Sequence, residues 1–350
     1  MAACRPATPS RLERSVCDLY GRARHLKLRA VAQRRAPRHL AARFRTAADL
    51  SIVEAALRDH YFSRPIWGDV RLTTEQWLAS EEGRRDLRDH LHRRLRVFRT
   101  QVVPWLDDAR PLVGARVLEI GCGTGASTVA LAEQGAIVTA VDIDAESLIV
   151  AAERCRAYGV QADFQVANGA ALDGLLSRGK FDFVIFFACL EHMTYAERIT
   201  AMRSTWDALQ PGALWCVVET PNRLWLIDEH TSQLPFYNWL PDELAFDYSR
   251  FSPRKPFRDG YRQRDDESLV SFLRHGRGIS YHEFEIAMKS ASSLDVVSCL
   301  HLRQRARSTW RALKHRWTRS GRFEALIAAE RPDIHRGFFL PYLDLIVRRD

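Results

Sequence analysis

The sequence has no apolar run of about 18 residues or more, which sets a transmembrane helix aside. It also has no CxxC pair. Its seven cysteines are odd in number and widely spaced, which argues against a disulfide scaffold or structural zinc site and fits a reducing cytoplasm. The basic N-terminus lacks the apolar stretch that a secretory signal needs. No internal repeat is visible, so solenoids and propellers do not apply. Acidic residues are nearly missing from two blocks. Residues 1–45 hold twelve Arg or Lys against Glu13 and Asp18, and residues 301–322 hold eight basic residues and no acidic one.

What is there is a chain of 350 residues, 46% hydrophobic, long enough to bury a full core. Its net charge of +9 sits in those two blocks, so the remainder is net acidic. Such placement suits local contact with an anionic partner, a membrane surface for example; solvated Arg-rich helical faces read the same way.

Residues 1–45 read as a basic tail and 46–110 as a helical N-terminal extension. Leu50, Val53, Leu57 and Tyr61 recur at helical spacing; Leu87, Leu91, Leu95 and Phe98 mark one face of a longer helix ended or disturbed by Pro104. From 111 onward the pattern alternates between short apolar runs and helical segments, the signature of βαβ units. Strands are predicted over 115–120, 137–142, 162–166, 181–187, 213–219, 294–300 and 338–348, the last broken by Pro341. A strand-to-helix segment is expected over 278–291. Two stretches exceed a minimal α/β domain: an aromatic-rich cap over 220–277 and a basic helical insertion over 301–335. The aromatics of the first suit either a lid over an apolar or sugar-bearing acceptor or the small core of an inserted subdomain. In the second, Trp310, Leu313 and Trp317 share a helical face ringed by Arg307, Arg311 and Lys314, a pattern that suits a membrane surface or an intramolecular lid.

Chemistry concentrates in Val117-Leu118-Glu119-Ile120-Gly121-Cys122-Gly123-Thr124-Gly125, which runs from strand through glycine loop into helix. Glycines there admit backbone angles and close approaches that a Cβ prevents. Asp142, at the end of the next strand, can accept both hydroxyls of a ribose. Together they indicate a nucleoside-containing cofactor at the first crossover. Gly121, Gly123 and Ala126 also satisfy a dinucleotide fingerprint loosely, so NAD is the competing cofactor.

The Glu119-x-Gly121-x-Gly123-x-Gly125 pattern resembles the first motif of class I S-adenosylmethionine-dependent methyltransferases. Leu190-Glu191-His192 after the fourth strand and Asp207-Ala208-Leu209-Gln210-Pro211-Gly212-Ala213 before the fifth are similar to segments of small-molecule members, with Ala213 in place of a glycine. The resemblance covers about 113–221. It implies an α/β, Rossmann-like fold with a mostly parallel seven-stranded sheet, here carrying the helical extension and the two insertions, and S-adenosyl-L-methionine as cofactor. It also implies that Gly121, Cys122, Gly123 and Gly125 form the cofactor loop. Glu119 would orient that loop or reach the methionine amino group, and Asp142 would hold the ribose. Ile143 would contact the adenine face, and Asn168 would accept from the adenine amino group through its carbonyl oxygen. Cys189 would lie beneath the cofactor.

The sulfonium is already activated, so the protein mainly aligns an acceptor and, for a hydroxyl or acidic carbon, removes a proton. His192 is the first candidate base and His230, beside Asp228 and Glu229, the second; Arg223, Asn222 and Trp239 are candidates for substrate binding. No three-ligand spacing is evident, so no metal is expected. The expected activity is methyl transfer to a hydroxyl or carbon of a small or lipid-linked, sugar-like or quinone-like acceptor. An RNA or protein methyltransferase and a non-catalytic S-adenosylmethionine-binding protein are the alternatives. The acidic remainder of the chain, and the absence of prolines in Phe187-Ala188-Cys189-Leu190, speak against nucleic acid.

Overall fold

The computed structural model describes residues 36–63, 73–177, 179–261, 265–306 and 315–350. Most of the basic tail, and Arg307, Trp310, Arg311, Leu313 and Lys314 of the second insertion, lie outside the described residues.

Strands of four to eight residues build a single sheet: β1 (Arg116–Ile120), β2 (Ile137–Asp142), β3 (Asp163–Val166), β4 (Phe183–Phe187), β5 (Leu214–Pro221), β6 (Asp295–Cys299) and β7 (Tyr342–Arg348). Their order is β3-β2-β1-β4-β5-β7-β6, with β7 antiparallel to both neighbours and the rest parallel. This is a Rossmann-like α/β architecture. β4, Phe-Val-Ile-Phe-Phe, is wholly buried because helices cover both faces of a parallel sheet. Strand order reverses between β1 and β4, so the crevice at their carboxyl ends is where a ligand fits.

Helices α1 (Ala126–Ala132), α2 (Ala145–Ala157) and α3 (Tyr195–Ala208) follow β1, β2 and β4. α3 opens on a capping box, Thr194 and Glu197 satisfying each other's backbone amides. Before the sheet, a helical run extends from Glu81 to Ala109 and passes through Pro104. The proline does not end it. Phe98–Val102 winds as a π-type turn just ahead, and Pro104 falls in the first turn of Val103–Ala109, where a missing amide costs little. Arg99 clamps this run to the core through two bonds to the buried Glu133, 2.8 and 2.6 Å long. Trp105 adds an indole bond of 2.9 Å to Ser298 on β6.

Residues 220–277 contain helices Asp242–Tyr248, Lys255–Gly260 and Asp266–Leu273 around their own core of Leu234, Tyr237, Phe246, Phe257, Tyr261 and Phe272. Most of the aromatics there are spent on that core. The expected strand near 278 is a lone bridge between Asn222 and Ile279, followed by helix Tyr281–Ala287.

Candidate functional site

A cavity of about 400 Å³ opens at the carboxyl ends of β1, β2, β4 and β5. Its floor is the glycine loop. Gly121, Gly123 and Gly125 all have positive φ, yet for different neighbours. A Cβ on Gly121 would lie 2.5 Å from Cys189 Cβ, and one on Gly125 would lie 2.8 Å from the backbone of Ala151 on α2. A Cβ on Gly123 would meet no protein atom within 4 Å. Two of the glycines therefore let protein pack on protein, while Gly123 leaves the cavity open.

Asp142 ties the loop together: one carboxylate oxygen accepts from the Gly123 amide at 2.8 Å, the other from the Asp144 amide at 3.0 Å. Burial pushes its carboxyl up. Its remaining lone pairs face the same cavity as Ile143, an isoleucine 65% exposed at the rim. Cys122 is buried within the loop, and Cys189 lies under it with its thiol 3.3 Å from the Ile120 carbonyl.

Glu119 does not line the cavity. It is fully buried beneath the loop, accepting from the Ser127 and Thr128 hydroxyls in the first turn of α1, and burial pushes its carboxyl up to about 7. The expected direct contact with a methionine amino group is therefore corrected: both oxygens are committed to α1. Asn168 lines the cavity, but its Oδ1 already accepts from the Ala170 amide at 2.9 Å. One lone pair of the carbonyl expected for the adenine amino group is thus engaged, which leaves the second lone pair and the amide nitrogen to offer.

His192 and His230 come together, ring centroids 5.7 Å apart, at the far side of the cavity. His192 Nδ1 lies 2.8 Å from the Arg274 carbonyl, which can only accept; Nδ1 therefore carries a proton, and in the neutral ring Nε2 is the lone-pair acceptor. Thr231 donates its hydroxyl proton to Gly276 and accepts from His230 Nδ1 at 2.9 Å, which sets the same tautomer. Between the rings is Glu191, fully buried, its Oε2 3.4 Å from the Thr220 hydroxyl and its Oε1 without a hydrogen-bond partner. Oε1 is 4.0 Å from His192 Nε2 and 3.7 Å from His230 Nε2. Burial pushes the Glu191 carboxyl up. The three groups offer donor atoms within 4.8 Å of one another, enough for a divalent cation. The sequence showed no such triad because its members come from separate segments.

The proposed substrate residues are not brought here. Asn222 is buried, its amide donating to the Phe338 and Leu340 carbonyls and its oxygen accepting from Leu224; it is a joint, not a ligand group. The Arg223 amide bonds Ile279 O at 2.8 Å, and the residue does not line the cavity. Trp239 packs on Phe236 and Phe323 outside it. In their place the cavity holds Tyr61, Arg94 and Phe98 from the N-terminal helices, the Glu197–Arg274 pair and Glu219. Arg274 grips Glu197 through two bonds, 3.0 and 2.9 Å, holding its carboxyl at about 2. Of these, only Glu219, a charge at a strand end, left a signal in the sequence.

Residues 117–212 match a family model described as a methyltransferase domain. The chain carries a class I methyltransferase domain whose methyl donor is S-adenosylmethionine. Among curated relatives, the ubiquinone biosynthesis O-methyltransferase of Xylella fastidiosa is 41% identical over 85 residues, covering 24% of this chain and 33% of that one. Its counterpart in Burkholderia multivorans is 29% identical over 185 residues, 51% of this chain and 73% of that one. The matches to the relatives from Xylella fastidiosa and Pseudomonas putida span less than half of those proteins, 33% and 46%. A solved magnesium protoporphyrin IX methyltransferase from Synechocystis, with S-adenosylmethionine bound, is 26% identical, with 51% of this chain and 80% of that one aligned and a TM-score of 0.34. The domain's glycine loop and Asp142 lie inside the matched segment; Arg94, Glu219 and His230 lie outside it.

Proposed function

We propose that this protein transfers the methyl group of S-adenosylmethionine to a hydroxyl oxygen of a small, ring-bearing acceptor of quinone-like type, with His192 as base. The observation that carries it is the His192 tautomer: a protonated Nδ1 held by Arg274 O leaves Nε2 as a proton acceptor on the cavity wall. As the acceptor oxygen forms its bond to the methyl carbon, the carbon–sulfur pair returns to sulfur and the hydroxyl proton passes to Nε2. The products are the methyl ether and S-adenosylhomocysteine. Asp142 takes the ribose hydroxyls and Ile143 covers the adenine. Arg94, a cavity cation that no carboxylate among the described residues pairs with, faces the methionine carboxylate. The printed names of the relatives, O-methyltransferases of ubiquinone biosynthesis, favour an oxygen acceptor on a ring.

The test is turnover of a metabolite and lipid extract with methyl-labelled S-adenosylmethionine by wild type, His192→Ala and His230→Ala. His192→Ala is expected to lose about 10²–10⁴-fold. Near wild-type turnover by both variants removes the base. A second reading has its own observation, the unpartnered Glu191 Oε1 between two histidine acceptors. A divalent cation there would hold the acceptor oxygen and ease its proton loss. Turnover abolished by chelation and restored by magnesium or zinc selects that reading; turnover untouched by chelation selects His192 acting alone.

A further inference from the structure

β5 is buried along its length except at one residue. Glu219 is exposed into the cavity between buried Val218 and Thr220. Three features turn it there. The β5–β7 register shifts between Val217 and Thr220, the mark of a β-bulge, and bulges near sites re-aim a side chain. Glu219 has a φ of 58°, a left-handed conformation that a glutamate keeps only when its surroundings impose it. Its amide donates to Asp344 Oδ1 at 2.7 Å, and Asp344, buried on β7, has its other oxygen 2.8 Å from His301 Nδ1. The carboxylate that results has no hydrogen bond or ion pair to any described residue, and it lines the same cavity as His192 and His230.

We propose that Glu219 is an acceptor-binding residue: its carboxylate accepts a hydrogen bond from a second hydroxyl of the substrate, and so selects polyhydroxylated acceptors over monohydroxylated ones. Asp344, with His301 behind it, is a positioning residue acting through the Glu219 amide. This rests on the hydroxyl-acceptor reading above. Water supplies the donors to this carboxylate while the cavity is empty, and an acceptor that displaces that water must bring a donor of its own, a hydroxyl, or leave the carboxylate unsatisfied. The methyl donor is the less suitable ligand, since the loop and Asp142 that receive it stand on β1 and β2, whereas Glu219 lies near the carboxyl end of β5, across β4 in the sheet. Burial and the Asp344 charge push the Glu219 carboxyl up, so the hydrogen bond strengthens as pH rises and it ionises.

The test separates donor from acceptor. Calorimetry with S-adenosylhomocysteine is run on wild type, Glu219→Gln, Asp344→Asn and the double variant. Saturation-transfer NMR then measures binding of dihydroxybenzenes and methyl glucosides, with phenol as monohydroxy control, to each protein loaded with S-adenosylhomocysteine. Glu219→Gln is expected to keep the nucleoside affinity within about twofold and to lose about tenfold or more for the dihydroxy compounds, with phenol unchanged. Asp344→Asn should weaken the same compounds, and the double variant should bind no worse than Glu219→Gln. Equal binding of dihydroxy compounds by wild type and Glu219→Gln overturns the proposal, as does binding of none of them by wild type. A matching loss of nucleoside affinity overturns it too, by placing Glu219 on the donor. Turnover of the compounds that bind is scored separately: binding without methylation removes the hydroxyl-acceptor reading and leaves the Glu219 result standing.

Discussion

Glu119 is a carboxyl sealed beneath a loop, and its energetics should be visible in solution. Its folded pKa of about 7 lies above the 4.5 of an unperturbed glutamate. Between those values the folded chain binds more protons than the unfolded one, so stability falls as pH rises through that window. Glu119→Gln keeps partners for Ser127 and Thr128 and removes the titration. Chemical denaturation at pH 5 and pH 8 should show wild type losing up to about 3 kcal/mol relative to the variant; parallel curves would refute the assignment. The loop glycines should also separate by what they touch. Gly125→Ala drives a Cβ into α2 and should cost about 2 kcal/mol or more of stability. Gly123→Ala meets no protein atom, so beyond the roughly 1 kcal/mol strain of its positive φ it should chiefly weaken S-adenosylhomocysteine binding, as melting curves and calorimetry together will show. Glycine spacing was legible because it is local. Arg94 and the convergence of His230 on Glu191 and His192 were not, since each depends on segments that meet only in three dimensions; His192, His230 and the strand-end charge of Glu219 could be named singly but not joined.

At the level of elements, the sheet could be read from alternation of short apolar runs and helices, nearly to the residue for β2 and within two residues for most others. Two readings resolve for physical reasons. Of the two outcomes expected at Pro104, a helix ended or disturbed, the structure shows the second: a π-type turn precedes it and the helix continues. The substrate candidates Asn222 and Trp239 lie outside the cavity because other segments take them up: Asn222 donates to the Phe338 and Leu340 carbonyls, and Trp239 packs on Phe236 and Phe323. The helical run before the sheet is held by the Arg99–Glu133 clamp, in which Glu133 is wholly buried. Removing one partner strands a buried charge, so Arg99→Met should cost about 3 kcal/mol or more in denaturant melts, whereas Arg99→Met with Glu133→Leu should recover much of it. Because Arg94 and Phe98 sit on that run, the single variant should also weaken S-adenosylhomocysteine binding.

For the molecule as a whole, positive charge is concentrated in two blocks, 1–45 and 301–322. Among the described residues no helix is long and apolar enough to cross a membrane. Trp317, beside the basic segment, is 84% exposed. If that segment meets an anionic bilayer, the protein should cosediment with phosphatidylserine vesicles at low salt and leave them at high salt; no binding at low salt removes the idea. The strand order has a different consequence, one of timing. β7 comes last of the seven along the chain yet lies between β5 and β6. During synthesis β5 waits with an open edge, and β6 has nothing to pair with, until the ribosome has released residues 342–348. Bound chaperones should therefore persist until residues 342–348 have emerged, and nascent chains stalled before β7 should be far more protease-sensitive than those stalled after it.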